Sequence, residues 1–365
     1  MHKKILVLSI AFISSIVLLT GCLFEGEQSL EEMDTPPESV ETVNNLDNVG
    51  EDVVEGEGSV EGEEDSDSSE PKEVKRELYL LDKNGMVVPQ TLTIPTDESK
   101  AVAKQTLEYL VKDGPVTNML PNGFQAVLPV GTEVNSMNLE EDGTLIVDLS
   151  EEFTNYTEKE ELQILQAMTF TLTQFDTVER VKLRIEGQEQ DVMPVNGTPI
   201  SNGLSRANGI NLHVGDVTDL TNSTATTLYY PAQHDGQYYF VPVTVPIESE
   251  EADMYESVVK NIINGPGYEM AGLLNVFQEG VELTAEPVYK DGVLSLTFND
   301  AIFNSIENQT ISNEVLSSLV LSLTEQPGVE AVQVTVDGTD QVFNENGETF
   351  SKPVSRDDVI NASGI

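Results

Sequence analysis

The chain has 365 residues, with 64 acidic side chains against 18 basic ones, a net charge of −46 and a single cysteine. A surface this acidic repels phosphate backbones, which excludes nucleic-acid binding, and it is likewise repelled by anionic lipid and anionic wall polymer. One thiol cannot form an internal disulfide, so the folded part must rely on its core; a basic protein partner or divalent cations suit the charge.

His2, Lys3 and Lys4 make a basic head, Ile5 to Leu19 is an apolar run, and Leu19, Thr20, Gly21 and Cys22 follow at once. The run is short for a spanning helix, which needs about 20 apolar residues, and its layout is that of a secretory signal. The competing reading is an uncleaved anchor helix. The tetrapeptide resembles the bacterial lipobox, which implies that Cys22 receives a diacylglyceryl group and becomes the mature N-terminus. Residues 1–22 are therefore expected to be removed or lipidated, leaving the protein anchored on the extracytoplasmic face of the cytoplasmic membrane. Residues 23–76 are rich in Glu, Asp, Ser and Gly, as in "EDVVEGEGSVEGEEDSDSSE". Such a segment buries too little apolar surface to offset the entropy of ordering, and its like charges extend it, so it reads as a tether.

The first domain, 77–190, opens with a hairpin whose strands, 78–81 and 86–94, flank Asp82-Lys83-Asn84-Gly85, a strong turn signal. A helix follows from about Asp97 to Lys112, with Thr96 as N-cap and Gly114-Pro115 as its stop. Strands at 134–139 and 145–149 turn at Asp142-Gly143. A second helix has a capping box, Thr157 with Glu160, ahead of a stripe of Leu165, Met168 and Leu172. The alternating "VERVKLRIEGQ" is the last strand.

After a polar connector, 191–226, the same order returns in 227–345 at an offset of roughly 150 residues, ahead of a tail at 346–365. Its hairpin pairs 228–230 with 238–245 around His234-Asp235-Gly236. Met254, Val258, Val259, Ile262 and Ile263 line a helix that stops at Gly265-Pro266. Strands are expected at 277–283 and 294–298, then a helix after Ser312 and a closing strand in "VEAVQVTVDGT". Pro89 and Pro242 occupy corresponding places in the returning hairpin strands, which must therefore be edges or bulged there. The fold class is α+β: a tandem pair of similar domains, each strand or hairpin, helix, two strands, helix, strand, with helices packed on a small mixed sheet.

The segments "LVKDGP", "LPVGTEV", "VDLSEEF" and "VKLRIEGQ", with the weaker "IINGP", "FQEGVEL", "LTFNDAIF" and "VQVTVDGT", resemble the GerMN domain family. Two such domains behind a lipobox and an acidic tether are similar to the sporulation lipoproteins of endospore-forming bacteria. These motifs are structural punctuation and transfer no catalytic role. The resemblance implies a membrane-anchored protein needed for sporulation and normal spore germination, acting in envelope assembly between mother cell and forespore. Its expected partners are the membrane, through the lipid, and other sporulation envelope proteins. The unit is also similar to the ring-building modules of secretion machines, a likeness of fold alone.

Catalytic motifs are missing: there is no phosphate loop, no His-Glu-x-x-His and no Gly-x-Ser-x-Gly. Neither a cofactor nor a small-molecule substrate is expected, and no metal, since Asp337-Gly338-Thr339-Asp340 lacks the spaced acids of a calcium loop. His213 and His234 read as surface residues. Asp148, Glu151 and Glu152 are the candidates for the alternative function, a cortex peptidoglycan hydrolase or an accessory to one, but the second copy has Thr297 and Asn299-Asp300 there. Tyr229, Tyr230, Tyr238 and Tyr239 form the candidate interaction surface. Alternation puts one tyrosine of each pair on each sheet face, so an outward row would either pack on the first domain or meet a partner.

Overall fold

The computed structural model describes residues 73–95, 101–213, 223–248, 254–339, 341–349 and 352–363. The lipobox residues Leu19 to Cys22, the tether up to residue 72, the Thr96 N-cap and Asp340 lie outside the described residues. The first repeat opens with the ribbon β1 (Glu73–Leu81) and β2 (Val87–Pro95), so Glu73 to Arg76 belong to a strand and not to the tether. Next come α1 (Val102–Glu108), β3 (Val134–Leu139), β4 (Thr144–Leu149), α2 (Glu161–Leu172), β5 (Arg180–Ile185) and β6 (Gln188–Glu189). The second repeat runs β7 (Ser223–His234), β8 (Gln237–Glu248), α3 (Met254–Asn264), β9 (Val288–Lys290) and β10 (Val293–Phe298). It closes with α4 (Asn313–Leu323), β11 (Ala331–Val336), β12 (Val354–Ser355) and α5 (Arg356–Ser363).

The fold is a tandem α+β pair, as the elements implied. Each repeat holds a four-stranded mixed sheet, in the orders β3-β4-β5-β6 and β9-β10-β11-β12, with a parallel central pair crossed over by α2 or α4. The hairpins do not join these sheets; they form separate two-stranded ribbons laid against α2 and α4. That separation accommodates the prolines. Tyr79 faces Pro89 and Tyr229 faces Pro242 across the ribbons. The outward N–H of Tyr79 donates to Thr171 Oγ1 at 3.0 Å and that of Tyr229 to Ser322 Oγ at 2.8 Å. These are thus non-hydrogen-bonded pairs, and each proline sits where its missing donor would point out of the ribbon.

Several sequence expectations shift. The first helix ends at Glu108, not Lys112, because the Leu110 carbonyl accepts from Val127 and Leu128 and so leaves the helical ladder. The strand expected at 277–283 is irregular chain with one bridge, Leu283 to Phe298; the partner of β10 is the shorter β9. Half of the Thr157–Glu160 capping box forms: Glu160 accepts from the Thr157 N–H and hydroxyl, while the helix starts a turn later. Ser312 caps α4 fully, its Oγ accepting from Val315 N–H at 3.3 Å. The described part of the connector and the tail are integral to the fold. Leu204 bridges to Val181 just as Val354 pairs with Val332, so each repeat ends in an extra extended segment.

Each repeat has its own core. Tyr79, Leu107, Leu145, Phe153 and Phe170 centre the first, and Tyr229, Val258, Leu294, Phe298 and Leu319 the second. Val88 of β2 crosses over and packs in the second core.

Candidate functional site

The chemistry of the chain gathers where the two repeats meet. Leu204-Ser205-Arg206 and Val354-Ser355-Arg356 end the two units in equivalent positions. Each serine N–H donates to a side chain three residues on, to Asn208 Oδ1 at 2.7 Å and Asp358 Oδ2 at 2.8 Å, which turns the chain and aims the arginine inward. Arg206 lies 4.8 Å from the Phe170 ring centroid and donates to Thr173 Oγ1 at 3.1 Å. Arg356 lies 4.9 Å from the centroid of Tyr229 and donates to the Leu321 carbonyl at 3.3 Å.

One carboxylate, on the second repeat, serves both guanidinium groups. Glu325 Oε1 is 3.1 Å from Arg356 Nη1 and 3.7 Å from Arg206 Nη1, and it accepts from the Tyr229 hydroxyl at 2.8 Å. Arg356 Nη2 donates back to that hydroxyl at 2.7 Å. Burial pushes the Tyr229 phenol well above its usual range despite the opposing pull of Arg356, and Glu325 adds to the rise, so Tyr229 is a neutral donor. Tyr79, its equivalent, is raised first by burial and then by Glu77.

The ribbons are stitched along their edges as well. Asn211 Nδ2 donates to the carbonyls of Val87 in β2 and Pro242 in β8, both at 2.7 Å, and its Oδ1 accepts from Val87 N–H at 2.9 Å. Asp82 is buried in its turn, accepts from Asn84 and Met86 N–H at 2.8 Å, and takes a hydrogen bond from the Tyr239 hydroxyl at the same distance. Phe124 of the first repeat meets Tyr239 edge to face at 5.1 Å.

A family model for sporulation and spore germination, Germane, matches residues 77–191 and again 227–342. The chain belongs to the Germane family. It is 46% identical over 361 residues to the spore germination protein GerM of Bacillus subtilis (strain 168), covering 97% of this chain and 96% of that one. The structure of the tandem GerMN domains of the sporulation protein GerM from Bacillus subtilis superposes with a TM-score of 0.71 at 50% identity, covering 78% of this chain and 98% of that chain.

Within this Germane pair the four tyrosines of the candidate interaction surface do not supply an exposed row. Tyr229, Tyr230 and Tyr239 are buried, Tyr229 by α4 and Arg356 and Tyr239 by Phe124 and Asp82; only Tyr238, 39% exposed, faces out. The packing alternative, against the first repeat, describes Tyr239. Two of the strand-end acids have partners: Asp148 accepts from Gly187 N–H in the β5–β6 turn at 2.8 Å, and Ser150 lowers the Glu152 carboxyl from its ordinary value by hydrogen bonding. In the second Germane repeat Thr297 bonds Thr335 instead. His234 stands 3.4 Å from Lys83 Nζ at the meeting of the two hairpin turns. Among the described residues no group of three or more His, Cys, Asp or Glu side chains could hold a metal ion, and no helix is long and apolar enough to cross a membrane.

Sequence reasoning missed Arg206 and Arg356 because they lie in the stretches read as connector and tail, and Glu325 because it sits between the last helix and the last strand of the second repeat with no pattern of its own. The roughly 150-residue offset extends to Ser205-Arg206 and Ser355-Arg356 and was the signal available.

Proposed function

We propose that this protein is a lipid-anchored, noncatalytic assembly module of the cell envelope, acting in sporulation and spore germination as the names of its relatives suggest. The observation that carries this reading is the seam, where two arginines, a glutamate and two tyrosines are used to hold one repeat against the other. Burying charged groups is worthwhile where a fixed relative geometry matters, and a scaffold needs that geometry. Lipidation at Cys22 would tether the pair to the outer face of the cytoplasmic membrane, with residues 23–72 as spacer. The chain would hold its partners there, among the other envelope proteins of the sporulating cell.

The test is a Cys22→Ala substitution in the native chromosomal copy of a sporulating host. The expected outcome is release of the protein from the membrane fraction and a sporulation defect as severe as deletion. Normal sporulation with soluble protein would remove the anchor from the proposal. In parallel, the full chain incubated with purified cortex peptidoglycan should release no reducing ends. Release that vanishes in Asp148→Asn or Glu151→Gln would replace the scaffold by a hydrolase.

A further inference from the structure

Beside the seam, the two repeats enclose a cleft of about 1110 Å³ that the assembly reading leaves unused. Its walls are the 121–124 loop of the first repeat, the β7–β8 turn, the start of α4 and, ahead of β12, residues 344–349 and 352–353. We propose that this cleft is a binding site for a neutral N-acetylated oligosaccharide.

Four exposed side-chain amides, Asn122, Gln237, Asn313 and Asn346, line it from four separate segments. Each primary amide offers two donors and an acceptor, the pairing that an acetamido group and ring hydroxyls require. Tyr238 presents an exposed ring and Phe124 a partly exposed one, apolar faces for the C–H side of a pyranose. Ionised groups favour a neutral, hydroxyl-rich ligand. Asp235, Glu314, Glu348 and Asp358 stand against Lys352 and His234, so an anionic chain is repelled while sugar hydroxyls find acceptors. Strand addition by a peptide is disfavoured along β8 beyond the stretch that lines the cleft. The outer edge of β8 is already taken by the connector, since Thr244 N–H donates to the Ile210 carbonyl, His213 N–H to that of Thr244, and Asn211 Nδ2 to that of Pro242. The cleft exists only because two repeats are joined, so it goes beyond both the fold of one unit and the assembly role.

The probe is the β-1,4-linked tetramer of N-acetylglucosamine, observed by saturation-transfer difference NMR with the full chain. Transfer to the acetyl methyl and ring protons is expected, and Tyr238→Ala and Asn122→Ala should each weaken the signal-derived affinity by roughly five- to tenfold. Both side chains are exposed, so unchanged thermal unfolding should accompany the loss. Absence of transfer, or transfer that both variants leave intact, would overturn the proposal. So would an extended octapeptide that perturbs Tyr238 where the tetrasaccharide does not, which would assign the cleft to a protein segment.

Discussion

In the first repeat, position 174 is a glutamine that donates to the carbonyls of Glu77 and Thr171; the equivalent position in the second repeat is Glu325, the carboxylate at the centre of the seam. The arginines that Glu325 serves are both kept, as Arg206 and Arg356, and so are the hydroxyls that hold the ribbons, Thr171 and Ser322. The copies have thus preserved backbone geometry and diverged in charge. The seam brings the two ends together, where a further carboxylate would add like-charge repulsion to that between Glu325 and Glu77. Each copy supplies one acid: Glu325 of the second repeat and Glu77 of the first both favour the charged form of the two arginines.

Breaking that asymmetry should have the largest effect. Glu325→Ala leaves two partly buried guanidinium groups without the carboxylate they share and is expected to cost about 2–4 kcal/mol in urea unfolding. Glu325→Gln, which makes the repeats alike, should cost somewhat less. Adding Gln174→Glu to it should recover part of the loss by moving the charge to the other copy. A Glu325→Ala variant that unfolds at the same urea concentration as the parent would show that solvent, and not Glu325, compensates the arginines.

The second contrast lies at the start of the equivalent helices, where the first repeat has Glu161 and the second Ser312. Ser312 is an ordinary N-cap. Glu161 is fully buried and accepts from Tyr156 Oη at 2.9 Å, Asn196 N–H at 2.7 Å, Thr198 N–H at 3.1 Å and the Thr198 hydroxyl. Burial opposes its charge, but these donors outweigh burial and hold the carboxyl below its usual value. It latches the segment after β6 onto α2. Glu161→Ala should therefore cost about 2–4 kcal/mol, since several buried donors lose their acceptor together, whereas Ser312→Ala should cost about 1 kcal/mol. Equal losses would erase the distinction between latch and cap.

Asn211 tests the stitch common to both ribbons. Removing its three hydrogen bonds with Asn211→Ala should cost about 1–2 kcal/mol. The loss should appear in hydrogen exchange as faster opening at Val87, whose N–H it now engages. Exchange unchanged at Val87 would mean that the ribbon edges are held by packing alone.

The order of elements was legible because period-two strands, capped helices and Asp-Gly turns are local signals. Asp235-Gly236 and Asp291-Gly292 adopt the paired positive φ values that such two-residue turns require. The sequence also showed that Pro89 and Pro242 needed an edge. What it hid was long-range. Whether the hairpin joins the sheet or stands apart depends on what covers its edges, here Thr171 and Ser322 from helices about 92 residues further along. The tyrosine pairs were seen to alternate, yet facing could not be assigned without the position of the other repeat. Arg206 and Arg356 carry no period and sit outside any amphipathic stripe, so only the repeat offset points to them.

The smallest effect belongs to an ion pair found in the first repeat. Lys112 Nζ lies 2.6 Å from Glu160 Oε1, both side chains about 30% exposed, beside the half-formed capping box. The hydrogen bond from Lys112, with those from Thr157, lowers the Glu160 carboxyl from its usual 4.5 to about 2. A carboxyl depressed on folding contributes stability that is complete above the unfolded value and disappears as pH falls through the folded one. The contribution should therefore be full above pH 4.5 and fade towards pH 2. Allowing for solvent screening of a partly exposed pair, it amounts to about 1–2 kcal/mol. Lys112→Met should lower stability at neutral pH by about 1 kcal/mol and flatten the acid limb of the stability curve between those two values. A variant with the same acid limb as the parent would assign the depression of Glu160 to Thr157 alone.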